Sequence, residues 1–185
     1  MLTESQKCAL LSLARQSIAA QVRGQREPQA LAIELPEASG VFVTIKRRGQ
    51  LRGCLGTLEC RRGLAGEVER CAADSASQDP RFPPVSLEEM AELSVEVSVL
   101  GPLEEIDPAD PSAIAIGRHG LVAEQGARRG LLLPQVATEW GWTVEQFLRQ
   151  TCVKAGLSPD AWTRGATLWR FEAEVFGDSG ADQAA

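Results

Sequence analysis

Residues 40–56 read GVFVTIKRRGQLRGCLG, and the way this stretch pairs decides the fold. Gly40 to Lys46 is rich in β-branched residues, which suit a pleated, half-buried strand. Arg47-Arg48-Gly49-Gln50 supplies a turn with its glycine, and Leu51 to Leu55 returns as the second arm of a hairpin. Hairpin arms are antiparallel. A second antiparallel set is expected downstream. There Ile114-Ala115-Ile116 and Leu121-Val122-Ala123 read as short strands around Gly117-Arg118-His119-Gly120, and the turn Gly126-Ala127-Arg128-Arg129-Gly130 feeds Leu131-Leu132-Leu133. No GxGxxG follows a strand and opens a helix, so the dinucleotide fingerprint is missing. The interspersed helices and strands therefore predict an α+β fold, an antiparallel sheet with flanking helices, over a doubly wound parallel one.

The helices announce themselves by caps and spacing. Thr3-Glu4-Ser5-Gln6 is a capping box, Leu11, Ala14, Ile18 and Val22 recur at helical spacing, and Gly24 can end the helix. Leu64, Val68, Cys71, Ala72 and Ser75 mark one face of a second helix, which the prolines of Asp79-Pro80-Arg81-Phe82-Pro83-Pro84 cannot continue. Ser86-Leu87-Glu88-Glu89 caps a short helical turn. Leu93, Val95, Val97 and Val99 then alternate with polar residues, the clearest half-buried strand in the chain. Pro134 suits the first position of a helix. Thr143 caps another, with Val144, Phe147, Leu148 and Thr151 on its apolar face and Gly156 as its stop. Trp169, Phe171, Ala173 and Val175 alternate as a last strand, and residues 177–185 have no apolar anchor and are expected to be a disordered tail. Trp140-Gly141-Trp142 reads as hydrophobic packing at a helix start.

Composition narrows the function. The chain has 185 residues, enough to bury a core without staples. Its net charge of −6 argues against nucleic acid as a partner, although Lys46-Arg47-Arg48 and Arg61-Arg62 form local basic runs. Five cysteines, at positions 8, 54, 60, 71 and 152, are odd in number and lack CxxC spacing. They suit free thiols in a reducing cytosol. The N-terminus does not read as a signal peptide, and no apolar run is long enough to span a bilayer.

The chemistry available concentrates at Leu51–Gly56. In a regular strand Leu51 and Leu55 share one face while Arg52 and Cys54 share the other. Gly53 and Gly56 leave bare backbone that another element or a ligand can approach. The Arg52 cation beside the Cys54 thiol would favour the nucleophilic thiolate. The alternative is a small buried cysteine, with Arg52 paired to a carboxylate and the glycines serving a bulge. His119 is the one histidine, hence the one imidazole available as an acid/base partner for Cys54. Asp79 and Arg81 are a second candidate pair, either for ligand binding or as a loop clamp with Phe82 anchored in the core. Too few histidines and cysteines sit at metal-ligand spacing, so no metal or other cofactor is expected.

Five segments in order, LRGCLG at Leu51–Gly56, DPRFPPV at Asp79–Val85, GRHGL at Gly117–Leu121, RGLLLPQVA at Arg129–Ala137 and FLRQTCVKAGLSPDAW at Phe147–Trp162, resemble the AMMECR domain family. The resemblance implies that residues 1–176 are a single AMMECR-type domain of a larger and a smaller lobe, in a cytoplasmic protein. It carries the signature over to Leu51, Arg52, Gly53, Cys54 and Gly56, with Leu55 where isoleucine is usual. It also implies Memo-type and radical SAM proteins as partners, on separate chains.

Three functions fit these observations. One is an accessory or partner-dependent component that binds through Leu51–Gly56. Another is an enzyme using Cys54 and Arg52, with His119 as optional acid/base, on a small anionic or carbonyl substrate. The third, nucleic-acid binding through the arginine runs, is the least supported. The accessory role is favoured, because one cysteine, one arginine and a histidine distant in sequence are few groups for a self-sufficient catalyst.

Overall fold

The computed structural model describes residues 2–25, 33–107 and 110–178. The chain divides into two compact units: unit 1 is residues 1–100 with 174–185, and unit 2 is residues 101–173. Both are built of antiparallel sheet and helices, so the fold is α+β as the sequence predicts.

In unit 1, α1 (Glu4–Arg23) begins at the predicted capping box and ends at Gly24, which adopts the left-handed conformation with φ 61°. Strands β1 (Gly40–Arg47) and β2 (Gln50–Thr57) form the hairpin. Arg47 pairs with Gln50, so the loop is the two residues Arg48-Gly49, with φ of 50° and 78°. Positive φ at both positions matches the right-handed strand twist, and glycine takes the second without a steric penalty. α2 (Gly63–Ser77) buries the face read from the sequence, and a 3-10 turn (Leu87–Glu92) leads into β3 (Leu93–Leu100). The strand order is β2-β1-β3, antiparallel throughout. Val41, Val43, Ile45, Val95 and Val97 face the core with Leu10, Leu13 and Ile18 of α1 and Val68 and Ala72 of α2. The chain returns to β3 at its far end. The Asp178 carboxylate accepts the Val95 N–H at 2.9 Å, and the Asp178 N–H donates to the Val95 carbonyl at 3.0 Å.

Unit 2 contains β4 (Glu104–Ile106), β5 (His119–Gln125), β6 (Arg128–Leu132), α3 (Pro134–Glu139), α4 (Val144–Lys154) and, as far as Ala173, β7 (Thr167–Gly177). β7 pairs with β4 on one edge and β5 on the other, and β6 lies outside β5, all antiparallel. Phe147, Leu148 and Cys152 of α4 pack with Leu121, Ala123, Leu168 and Ile106 in the core. Among the described residues no helix is long and apolar enough to cross a membrane.

Three expectations need correction. Ile114–Ile116 is not a strand: the Ala115 carbonyl accepts from the N–H groups of Arg118 and His119, which winds the segment into a turn. The second hairpin turns earlier, at Gly126-Ala127, so Arg128–Gly130 belongs to β6. In β7 the alternating set names only one face. Leu168 and Phe171 are both buried, whereas Val175 is exposed and Phe176 packs on the unit 1 core. A strand covered on both faces has no simple alternation to read. Of the expected tail, Gly177 closes β7 and Asp178 is bonded to β3, while residues 179–185 lie outside the described residues.

Candidate functional site

Leu51–Gly56 lies in β2 at the edge of the unit 1 sheet. Its register contains a bulge: Ile45 pairs with Gly53 but Lys46 with Leu51, so Arg52 is the extra residue. Residues directly opposite share a face. Gly53 and Leu55 therefore face the helices with Ile45 and Val43, while Cys54 faces the other way with Thr44. Leu51 shifts to the Cys54 side with Lys46, so it does not share a face with Leu55 as simple alternation predicts. The bulge is the reason.

Each glycine answers to a neighbour. A Cβ on Gly53 would fall 2.2 Å from the Ser75 carbonyl oxygen of α2, and one on Gly56 would fall 2.3 Å from the Phe42 ring across the hairpin. Helix α2 thus docks on bare strand backbone. Ser75 completes the joint, its hydroxyl accepting the Leu55 N–H at 2.8 Å and donating to the Val43 carbonyl at 2.8 Å.

Arg52 does not attend Cys54. Its guanidinium grips Glu89 bidentately, at 2.8 and 3.0 Å, and donates to the carbonyls of Pro83 and Pro84. Glu89 also accepts the Ser86 N–H, so one carboxylate caps the 3-10 turn and fastens it to β2. The Arg52 hydrogen bond first, then that backbone bond, pull the Glu89 carboxyl down to about 2. The cation that does reach Cys54 is Arg81, whose Nη2 donates to the Cys54 carbonyl at 3.2 Å.

Asp79, only 4% exposed, accepts the Cys54 N–H at 2.8 Å and two guanidinium bonds from Arg81, at 2.9 and 2.7 Å. The Arg81 bonds hold its carboxyl well below the usual carboxylate range, against the opposing effect of burial. The Asp79–Arg81 pair thus takes both backbone groups of Cys54. Phe82 is not a core anchor. It is half-buried beside two guanidiniums, Arg81 at 5.5 Å and Arg52 at 6.0 Å from its ring centre. At the thiol itself, the Thr44 hydroxyl donates to Cys54 Sγ at 3.2 Å.

His119 belongs to unit 2, at the start of β5, and is engaged there. Its Nδ1 accepts the Ala115 N–H at 3.0 Å, which leaves the proton of the neutral ring on Nε2. The structure therefore gathers Arg52, Gly53, Cys54, Asp79 and Arg81 in unit 1, with Leu51 exposed beside them. Sequence reading missed Glu89, Ser75 and Thr44. The Ser86–Glu89 capping box marked Glu89, but only for its local role. The arginine runs are neutralised in part: Arg47 and Arg48 bond Glu92, and Arg61 bonds Glu59. Trp140 is exposed and stacks on Trp142, so only the second tryptophan packs with the core. All five cysteines are free thiols. Among the described residues, no three His, Cys, Asp or Glu side chains gather as a metal site would require.

An edge strand pinned by two arginine–carboxylate pairs, around a thiol and two close-packing glycines, defines an α+β module built around the hexapeptide Leu51–Gly56. The AMMECR1 family profile matches residues 11–176, and the chain belongs to that family. It is 46% identical to a protein of Methanothermobacter thermautotrophicus, covering 92% of this chain and 93% of that one. It is 47% identical to protein PF1979 of Pyrococcus furiosus, covering 90% and 85%. The crystal structure of uncharacterized protein PH0010 from Pyrococcus horikoshii superposes with a TM-score of 0.84 at 44% identity, covering 92% of this chain and 90% of that one.

Proposed function

We propose that this protein is an accessory, partner-dependent component that acts through the Leu51–Gly56 surface, with Memo-type and radical SAM proteins as the partners its family resemblance implies. The observation that carries the reading is the state of the charges. Arg52 and Arg81 are both committed to carboxylates. Flanking the Arg52–Glu89 pair in sequence, Leu51 and Leu87 are 44% and 58% exposed. Exposed apolar side chains ringed by satisfied polar groups are the anatomy of a docking surface. The mode is not strand addition at Cys54, since Asp79 and Arg81 already occupy its N–H and carbonyl. Free thiols support a cytoplasmic setting.

The test is co-purification of a Memo-type protein with this chain. Cys54→Ala is expected to retain the partner, and the double variant L51E/L87E to lose it. Retention by L51E/L87E would overturn the surface assigned. Loss in Cys54→Ala alone would favour the second reading, an enzyme with Cys54 as nucleophile on a small anionic or carbonyl substrate. The Thr44 hydroxyl on Sγ is the observation behind that reading.

A further inference from the structure

Most cations among the described residues meet a carboxylate, and three of those that do not lie close together in unit 2. In unit 1 Arg15, Arg47, Arg48, Arg52, Arg61, Arg70 and Arg81 each meet a carboxylate. In unit 2 Arg118, Arg129, Arg149 and Arg170 do so too. The described cations with no carboxylate in ion-pair reach are Arg23, Arg62, Arg128, Lys154 and Arg164.

The last three converge on one end of unit 2. At the tip of the β5–β6 hairpin, Arg128 donates to the Gly156 carbonyl at 3.0 Å, two residues beyond Lys154 and the end of α4. Gln125, opposite Arg128 in the hairpin, donates to the Arg164 carbonyl at 3.3 Å. Gly130 brings the strand and helix backbones together, since a Cβ there would fall 2.5 Å from the Ala155 Cα. Two side chains of the hairpin, Arg128 and Gln125, thus hold the carbonyls of the two other loops, and the three loops carry three exposed cations. Val153, 48% exposed, adjoins Lys154.

Local duties explain only part of this. Lys154 complements the C-terminal end of the α4 dipole, and Arg128 satisfies one carbonyl beyond it. Arg164 has neither role, and three unpaired cations stand together on a chain whose net charge is −6.

We propose that this basic end of unit 2 is a docking surface for an acidic segment of a partner protein. Arg164 offers a guanidinium fork that matches a carboxylate bidentately, Arg128 offers the donors left over from its bond to Gly156, and Lys154 adds a point charge. Val153 offers an apolar contact at the rim. The overall negative charge repels a long polyanion, and among the described residues none of these three cations makes a cation–π contact. A short acidic segment meets the patch without bringing a polyanion's charge against the rest of the surface.

The probe is a fluorescently labelled hexaglutamate peptide titrated with the full chain at low salt. Wild type is expected to bind. R128Q/K154Q/R164Q should weaken binding about ten-fold, the combined effect of three exposed charge pairs. K154Q/R164Q keeps the Arg128–Gly156 bond, so it guards against a folding defect, and it should still weaken binding measurably. R23Q/R62Q removes two unpaired charges elsewhere and should leave binding unchanged. The proposal is overturned if wild type does not bind, if R23Q/R62Q weakens binding as much as K154Q/R164Q, or if oligothymidine binds more tightly through the same three residues.

Discussion

At the residue scale, Gly53 and Arg52 explain most of what the Leu51–Gly56 stretch does for the fold. Gly53 does not need a left-handed backbone; it needs the absence of a side chain, because the Ser75 carbonyl occupies the position of a Cβ. Gly126 is the opposite case, with φ 63° and open space around it. Gly53→Ala should therefore destabilise by about 3 kcal/mol through displacement of α2, and Gly126→Ala by about 1 kcal/mol through backbone strain alone. Urea midpoints of the two variants compare these directly, and equal shifts would show that α2 yields freely. The sequence already showed that bare backbone at 53 invites a close approach. It did not show that the visitor is a helix rather than a ligand. Likewise it allowed Arg52 to pair with a carboxylate, but Glu89 is 37 residues away and other acids were equally eligible.

The edge strand β2 is the element on which the site rests. Edge strands expose unpaired backbone groups that invite aggregation or addition of another strand. Here the proline turn after α2 sends back a carboxylate and a guanidinium in the place of a neighbouring strand. Asp79→Asn keeps an acceptor for the Cys54 N–H but loses the ion pair with Arg81, and about 2 kcal/mol of stability should go with it. Hydrogen exchange at the Cys54 amide should quicken in this variant, and an unchanged rate would mean that the clamp does not hold the edge. The hairpin, the caps of α1 and α4 and the alternation of β3 were legible because local chemistry sets them. The bulge at Arg52 and the turn at Ile114–Ile116 were not. The first depends on pairing with a partner strand, and the second is stabilised by a histidine ring four residues on.

At the scale of the whole molecule, the groups that govern its response to acid, Glu89, Asp79 and His119, are all lowered. Glu89 is drawn from 4.5 down to about 2, chiefly by Arg52, and Asp79 is drawn down chiefly by Arg81. A depressed carboxylate stabilises the fold above its unfolded value and loses that contribution as pH falls through its folded one. His119 is lowered from 6.5, first by burial and then by the charges of Arg170 and Arg118. The unfolded imidazole therefore takes a proton first, and stability present above 6.5 declines as pH falls below it. Acidification should weaken the protein in two stages, the first belonging to His119 and the second to the carboxylates. Urea unfolding across pH checks this. His119→Asn should flatten the first stage, and Glu89→Gln should flatten the limb between 4.5 and 2. A wild-type profile that is flat below neutrality would refute the scheme.

Sequence by itself determined most of the helices, the first hairpin, the antiparallel class and the hexapeptide around which the site is built, but not the turn at Ile114–Ile116 or the short strand Glu104–Ile106. Caps, turn glycines and strand alternation act within a few residues, so their physics is written locally. Tertiary structure alone decided which acid meets which base. Arg52 finds Glu89, Arg81 stays with Asp79 and reaches Cys54, and Arg128, Lys154 and Arg164 are left unpaired together. Ion pairing depends on distances in space between residues far apart in the chain, and those distances exist only once the sheet and helices have closed on one another.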